Sequence, residues 1–125
     1  MSRLFSYLSD MRGIFLNSQQ QQAVATSARH VLLLAVPGSG KTTVLTARIA
    51  YCITELHMNP SRILTLTFSR ETAADMQRRF SVLFPDLPPV QFSTIHSFCY
   101  SVLRRYAKRY RRPLPVLLAG ERTAL

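Results

Sequence analysis

The stretch that decides the fold is VLLLAVPGSGKTT, residues 31–43. Residues 31–36 form a short, continuous run of apolar side chains, which is typical of a parallel strand covered on both faces. Residues 37–40 have the proline and glycines of a tight turn, and apolar residues then recur at helical spacing over residues 41–56. The sequence therefore predicts a strand, a glycine-rich loop and a helix, in that order.

Outward from this unit, strand and helix patterns alternate. Asn17 and Ser18 are capping residues ahead of a run of good helix formers. The other predicted elements are two strands, over residues 63–68 and 90–95, and three helices, over residues 19–28, 70–83 and 97–110. Alternating strands and helices indicate a parallel sheet flanked by helices, and hence an α/β fold.

The loop itself indicates a nucleotide site. Residues 35–42, AVPGSGKT, match the Walker A pattern, with Ala35 where glycine is usual. In such a loop the backbone amides face the phosphates, the lysine reaches the β and γ oxygens, and the threonine hydroxyl ligates Mg²⁺. Lys41 and Thr42 are therefore the catalytic candidates, and Thr42 is the metal ligand. The expected nucleotide-binding residues are Pro37, Gly38, Ser39, Gly40, Lys41, Thr42 and Thr43.

A chance glycine-rich turn is the alternative to a phosphate loop. The apolar run before the turn and the helical pattern after it provide the context that the motif requires. Binding of ATP or GTP is therefore the strongest inference from the residues alone.

The charge of the chain indicates a polyanionic partner. Its 125 residues have a formal net charge of +10, with only six acidic side chains. The basic residues cluster late in the sequence, at Arg104, Arg105, Lys108, Arg109, Arg111 and Arg112. A solvated helix face is the alternative for this cluster, because a charge run alone has weak specificity.

No membrane segment or secretion signal is expected. The apolar runs are of strand length, and Asp10 and Arg12 interrupt the apolar N-terminal residues. These features predict a soluble, cytoplasmic protein. Cys52 and Cys99 lie in helical patterns without metal-ligand spacing, so both are predicted to be buried thiols.

Four segments, the phosphate loop among them, resemble the UvrD/Rep type of superfamily 1 DNA helicase in order and spacing, from Leu16 to about Leu103. Residues 16–24, LNSQQQQAV, are similar to the glutamine motif of that family, in which the residue at Gln20 reads adenine. A glutamine-rich helix without this role is the alternative. The resemblance implies a RecA-like P-loop NTPase fold, with ATP and Mg²⁺ as cofactors.

Two further segments resemble the DNA-contacting motifs of the family. Residues 63–76 imply that Thr67 and Phe68 contact single-stranded DNA, with Phe68 as a base-stacking ring. Residues 92–99 imply that Thr94 and His96 touch the DNA backbone, and the late basic cluster could line the same path. A core position for Phe68, and a capping or structural role for His96, are the alternatives. The chain departs from the family pattern at Arg70, Glu71 and Ile95.

The resemblance also implies an incomplete motor. Residues 1–112 would be the N-terminal part of RecA-like motor domain 1A, and residues 113–125 the truncated start of an inserted helical subdomain. The six acidic residues include no Asp-Glu pair after an apolar strand, so hydrolysis of ATP by this chain alone is expected to be negligible.

The function implied is the ATP-binding portion of an ATP-dependent DNA helicase or translocase. Its expected partners are single-stranded DNA and the remainder of the helicase chain, with the oligomeric state left open. A P-loop nucleotide-binding module of a non-helicase ATPase or kinase is the first alternative. A basic nucleic-acid-binding remnant with a dead nucleotide pocket is the second.

Overall fold

The computed structural model describes residues 3–38 and 40–113 of the chain. Its helices are α1 (Arg3–Arg12), α2 (Ser18–Ala25), α3 (Lys41–Thr54), α4 (Arg70–Leu83) and α5 (Ile95–Tyr110). Its strands are β1 (Leu64–Thr67) and β2 (Gln91–Thr94), and a short 3-10 helix (Pro60–Arg62) precedes β1. The predicted start of an inserted subdomain lies outside the described residues, apart from residue 113.

The two strands form a parallel pair joined by α4. Leu64 lies opposite Gln91 and Thr67 lies opposite Thr94, so the strands end at the same edge of the sheet. A parallel pair requires a crossover connection, and α4 provides it. The α/β class, with parallel strands and flanking helices, is therefore confirmed for this part of the chain.

The strand predicted at residues 31–36 is wrong for the described structure, because these residues have no regular secondary structure. Leu32 and Leu34 are each 82% exposed. An apolar run becomes a strand only when a neighbouring strand accepts its hydrogen bonds and other elements cover its faces. The two described strands pair with each other, and neither pairs with residues 31–36.

The helix predictions are confirmed in position, with corrected ends. The helix predicted over residues 70–83 has these bounds, because Ser69 caps its first turn by accepting from the backbone N–H of Thr72 at 3.1 Å. α2 ends at Ala25, since Thr26 is extended, with φ −61° and ψ 141°. α5 begins two residues early, because the Thr94 side chain caps it and ends β2 there.

The sequence analysis predicted no element at the N-terminus, where the structure has α1. Leu4 and Leu8 lie one turn apart and are buried. The Tyr7 hydroxyl donates to the backbone oxygen of Leu83 at 2.7 Å, and its ring stacks on Phe84 at 5.8 Å. These contacts hold α1 against the end of α4.

The core lies between the first four helices and the sheet. Its most buried members include Leu8, Val24 and Ala50, one from each of the first three helices. Phe80 of α4 extends the core towards the sheet, since its ring centroid lies 6.0 Å from that of Phe92 on β2. The core therefore links the helix that follows the glycine-rich loop to the helix between the strands.

No helix among the described residues is long and apolar enough to cross a membrane. Of the two cysteines, Cys52 is buried, as predicted. The prediction for Cys99 is wrong, because this residue is exposed on α5. The reason is that α5 has a single buried residue, Ala107, so most of its side chains, Cys99 among them, are not covered by the core.

Candidate nucleotide site and nucleic-acid interface

Two glycines of the glycine-rich loop have backbone torsions of the kind that a phosphate-binding loop uses. Gly38 has φ 80° and Gly40 has φ 87°, both in the left-handed region that side chains with a Cβ rarely adopt. Gly40 is the residue before the first turn of α3, and its carbonyl accepts from Val44 N at 3.0 Å. The N-terminus of a 14-residue helix therefore opens directly at the loop. Ser39 lies outside the described residues.

The candidate phosphate and metal residues occupy the first turn of α3. Lys41 is exposed, and Thr42 and Thr43 are half-buried. The buried Thr46 hydroxyl hydrogen-bonds to the carbonyls of Thr42 at 3.0 Å and Thr43 at 2.9 Å, which fixes this turn. A lysine and a threonine hydroxyl beside a loop with positive φ angles fit a nucleoside triphosphate with Mg²⁺.

The structure brings Gln20 to the glycine-rich loop, although 20 residues separate it from Gly40. A Cβ placed on Gly40 would lie 3.4 Å from Nε2 of Gln20. Gln20 also forms a capping box with Asn17: its Oε1 accepts from Asn17 N at 2.9 Å, and its own N donates to Asn17 Oδ1 at 2.8 Å. The side chain of Gln20 is therefore held in one orientation, with its amide at the loop.

An arginine of α3 adds hydrogen bonds to the apolar packing between α2 and α3. Nη1 of Arg48 donates to the carbonyls of Val24 at 2.7 Å and Thr26 at 2.8 Å. These carbonyls lie at the end of α2, where helix carbonyls lack intrahelical partners. Arg48 therefore binds the end of α2 to the middle of α3 and helps to fix the distance from Gln20 to the loop. Sequence reasoning missed both this role and the capping box, although the Asn-x-x-Gln spacing is a signal for the box.

The four predicted DNA-contacting residues lie where the two strands end. Thr67 and Thr94 are paired across the sheet and buried, at 8% and 6% exposed. Phe68 follows Thr67 and is 88% exposed, so the alternative of a core position is wrong. His96 is exposed in the first turn of α5, and Thr94 rather than His96 caps that helix. The structure therefore brings these four residues to one edge of the sheet.

The two threonine hydroxyls at this edge already have partners. Thr67 Oγ1 donates to the backbone oxygen of Ser69 at 2.9 Å. Thr94 Oγ1 accepts from Ser97 N at 3.1 Å and lies 2.9 Å from the Ser97 hydroxyl. Their observed contacts are structural, whereas Phe68 and His96 present their side chains to solvent.

A cavity of about 320 Å³ lies beside this edge, between α4 and the start of α5. Arg70 lines it together with Thr94 and Ser97. Arg70 is one of the positions at which the chain departs from the family pattern. The side chain of Arg70 therefore places a positive charge next to the strand ends, and Glu71, the adjacent departure, adds a negative charge in the same turn of α4.

Acidic groups are few around these sites. Asp75 forms ion pairs with Arg78 and with Arg79, the latter at 2.9 Å between Nε and Oδ2. Within residues 3–38 and 40–113, no group of three or more His, Cys, Asp or Glu residues is placed to hold a metal ion.

The chain is similar in sequence to known DNA helicases. The model of the UvrD/REP helicase N-terminal domain matches residues 16–122. The ATP-dependent DNA helicase PcrA of Bacillus subtilis is 45% identical over 101 residues, which are 80% of this chain and 14% of the relative. PcrA of Staphylococcus aureus strain Mu50 is 42% identical over 95 residues, which are 75% of this chain and 13% of the relative. The chain thus spans about one seventh of the length of these relatives, and α1 precedes the matched residues.

Proposed function

Because this chain belongs to the UvrD/REP helicase N-terminal domain family, we propose that it forms the ATP-binding part of a DNA helicase that acts on single-stranded DNA. Residues 1–112 would then be the first part of a RecA-like motor domain 1A, and residues 113–125 the start of an inserted helical subdomain. The motor would be completed by the remainder of a helicase chain. The observation that carries the proposal is the contact of Gln20 with the loop that precedes Lys41 and Thr42.

In the proposed site, the loop amides and the N-terminus of α3 bind the triphosphate. Lys41 binds the β and γ oxygens, and Thr42 contributes its hydroxyl to the coordination of Mg²⁺. When bound, Mg²⁺ neutralises phosphate charge and orients the γ-phosphate. The bonds of Thr46 to the carbonyls of the same turn keep Lys41 and Thr42 in place.

Gln20 supplies the proposed preference for adenine. A carboxamide can donate to one adenine nitrogen and accept from the exocyclic amine, as glutamine does with adenine in DNA. Oε1 of Gln20 accepts from Asn17 N, but an amide oxygen has a second lone pair. The capping box therefore orients the amide without exhausting its capacity, and guanine would present the wrong edge.

Single-stranded DNA would cross the edge where the strands end. Phe68, which is almost fully exposed, would stack on an unpaired base, and stacking of this kind contributes roughly 1–3 kcal/mol per base. Thr67, Thr94 and His96 would contact the backbone. Thr94 would have to turn its hydroxyl hydrogen from Ser97 towards a phosphate, and Ser97 could then donate to Thr94 in return.

Hydrolysis by this chain alone would be negligible. The attacking water must be activated or oriented near the γ-phosphate, and in the proposed motor a carboxylate would do this. The chain has six acidic residues, none adjacent to another, and Asp75 is occupied by two arginines. We therefore propose binding of ATP without turnover for this chain by itself.

The nucleotide half of the proposal is tested by competition between ATP and GTP for a fluorescent ATP analogue, with Gln20→Ala and Gln22→Ala compared. Gln22 lies on the same helix and is exposed, so it is the matched control. We expect Gln20→Ala to lose the preference for ATP, and Gln22→Ala to keep it. Equal selectivity in both variants and the wild type would refute the role of Gln20.

The DNA half is tested with a labelled oligothymidylate and the variants Phe68→Ala and Phe15→Ala. Phe15 is also a highly exposed ring, at 79%, but lies away from the strand ends in sequence. We expect Phe68→Ala to weaken DNA binding by about tenfold or more while ATP binding is unchanged, and Phe15→Ala to have no effect. Binding of nucleotide without any DNA binding would instead indicate a P-loop module that is not part of a helicase.

A further inference from the structure

The last two turns of α5 carry a surface that the proposed function does not use. Six exposed cationic side chains lie on these turns and just after them: Arg104, Arg105, Lys108, Arg109, Arg111 and Arg112. Two tyrosines lie among them, Tyr106 at 53% exposed and Tyr110 at 56% exposed. We call Arg105, Tyr106, Arg109 and Tyr110 the α5 platform.

The two rings of the platform act as one aromatic surface. Tyr106 and Tyr110 are four residues apart, so they lie on the same face of the helix, and their ring centroids are 4.8 Å apart. The guanidinium carbon of Arg109 lies 5.8 Å from the centroid of Tyr110. Arg105 and Arg109 are also four residues apart and form the adjacent row. The platform therefore presents two adjacent rings, inclined by 42° to each other, beside a row of positive charge.

The positive charge of the platform is not neutralised within the described structure. α5 contains no acidic residue, and none of its cations forms an ion pair with a carboxylate in residues 3–38 or 40–113. Ala107, the buried residue of α5, lies on the opposite side of the helix from the arginine row. A concentration of unpaired cations of this kind attracts a polyanion.

We propose that the α5 platform is a second contact for single-stranded nucleic acid, in which the tyrosines stack on bases and the arginines bind phosphates. This inference rests on the proposal that DNA is a partner of the chain. The same helix starts with His96 at the strand ends, and Tyr110 lies about 20 Å further along its axis. One strand could therefore bind at Phe68 and continue along α5 to the platform.

The composition of the platform favours unpaired nucleic acid over a duplex or a membrane surface. Tyrosine rings stack on bases only where the bases are unpaired, and cationic side chains beside aromatic rings are typical of single-strand grooves. Membrane-surface helices carry several Trp, Phe or Leu side chains on their apolar face, whereas this end of α5 has the single leucine Leu103 beside Val102 and the two tyrosines.

The test compares binding of oligothymidylates of about 6 and about 16 nucleotides, lengths within the range that one single-strand site covers. We expect the wild-type chain to bind the longer oligonucleotide about tenfold or more tightly than the shorter one. Tyr106→Ala/Tyr110→Ala should lose the extra affinity for the longer oligonucleotide and bind the shorter one as the wild type does. Tyr106→Phe/Tyr110→Phe should retain it, because phenylalanine rings also stack.

The charges of the platform are tested by salt dependence. Arg105→Gln/Arg109→Gln should lower the slope of log K against log salt for the longer oligonucleotide by about 1.4, from about 0.7 for each lost phosphate contact. Arg29→Gln/Arg62→Gln is the matched control, since both residues are exposed and lie outside α5. A duplex of the same length should be insensitive to the tyrosine substitutions.

The outcomes separate this inference from the proposed function. Tyr106→Ala/Tyr110→Ala could bind the longer oligonucleotide as tightly as the wild type does, while Phe68→Ala still weakens binding. This result would refute the role of the platform and leave the strand-end site standing. If the wild type binds no oligonucleotide, both are refuted. Binding of the wild type to phosphatidylserine vesicles, lost in the alanine variant without any change in DNA binding, would assign the platform to membranes and overturn the inference.

Discussion

Two stretches of this chain have the same order of elements in the sequence: a run with apolar residues, a turn and a helix of 14 residues. Only one of the two runs forms a strand. Residues 31–36 lead through the glycine-rich loop into α3, and β1 leads through Ser69 into α4. Both helices form. β1 pairs with β2 along its whole length, whereas residues 31–36 have no regular structure and expose their leucines.

The difference shows which interactions each element needs. A helix pairs most of its backbone N–H and C=O groups within its own sequence, so a cap and an amphipathic pattern are enough to predict where it lies. A strand needs a neighbour, and β1 obtains one from residues that follow α4. The start of α3 and the approach of Gln20 to Gly40 nevertheless position the end of the glycine-rich loop from the other side.

Removal of the ring that supports the paired strands should have the largest effect. Phe80→Ala deletes a buried ring whose centroid lies 5.5 Å from that of Phe84 and 6.0 Å from that of Phe92. We expect the free energy of unfolding to fall by about 3–5 kcal/mol. Urea titration followed by circular dichroism measures the change, with the exposed Phe15→Ala as control. A loss of less than about 1 kcal/mol would mean that α4 and β2 do not share a core.

Loosening of the helix pair beside the loop should have an intermediate effect. Arg48→Gln shortens the side chain that bonds to the carbonyls of Val24 and Thr26. Loss of these charged hydrogen bonds should lower the free energy of unfolding by about 2 kcal/mol and weaken binding of an ATP analogue, because Gln20 loses its fixed distance from Gly40. Arg62→Gln, at an exposed position, should change neither quantity. Unaltered nucleotide affinity in Arg48→Gln would show that α2 is held by other contacts.

Substitution of exposed leucines in residues 31–36 should have the smallest effect. Leu32→Ser/Leu34→Ser replaces two side chains that are each 82% exposed, so the free energy of unfolding should change by no more than about 0.5 kcal/mol. The matched change in the core, Leu8→Ser, should be strongly destabilising, since Leu8 is 1% exposed. A large loss of stability in the Leu32/Leu34 variant would mean that residues 31–36 are covered in solution.

The same distinction explains what the sequence could predict. The bounds of α4 were predicted because Ser69 and the spacing of Ala73, Met76 and Phe80 are local signals. The pairing of Thr67 with Thr94 could not be predicted from local patterns, because it depends on how the crossover folds back. α1 was missed because its two buried leucines are too few to give a clear helical pattern.

The candidate sites divide in a similar way. A phosphate loop was predicted from its residues, and the structure gives its two glycines left-handed conformations. The approach of Gln20 to Gly40 was expected only through the family resemblance, since nothing in the spacing of two separate segments shows that they meet. The hydrogen bonds of the Thr67 and Thr94 hydroxyls could be known only from the structure, because the sequence allows either side chain to face solvent.

The central claim, that this chain binds ATP through the glycine-rich loop, is tested most directly by titration with a fluorescent ATP analogue in the presence of Mg²⁺. Wild type and Lys41→Ala are compared, with Arg29→Gln as a control for loss of one positive charge. We predict saturable binding by the wild type and the control, and a loss of about tenfold or more in Lys41→Ala, because a charged contact to phosphate is removed. Equal binding by all three proteins, or binding by none, would contradict the account.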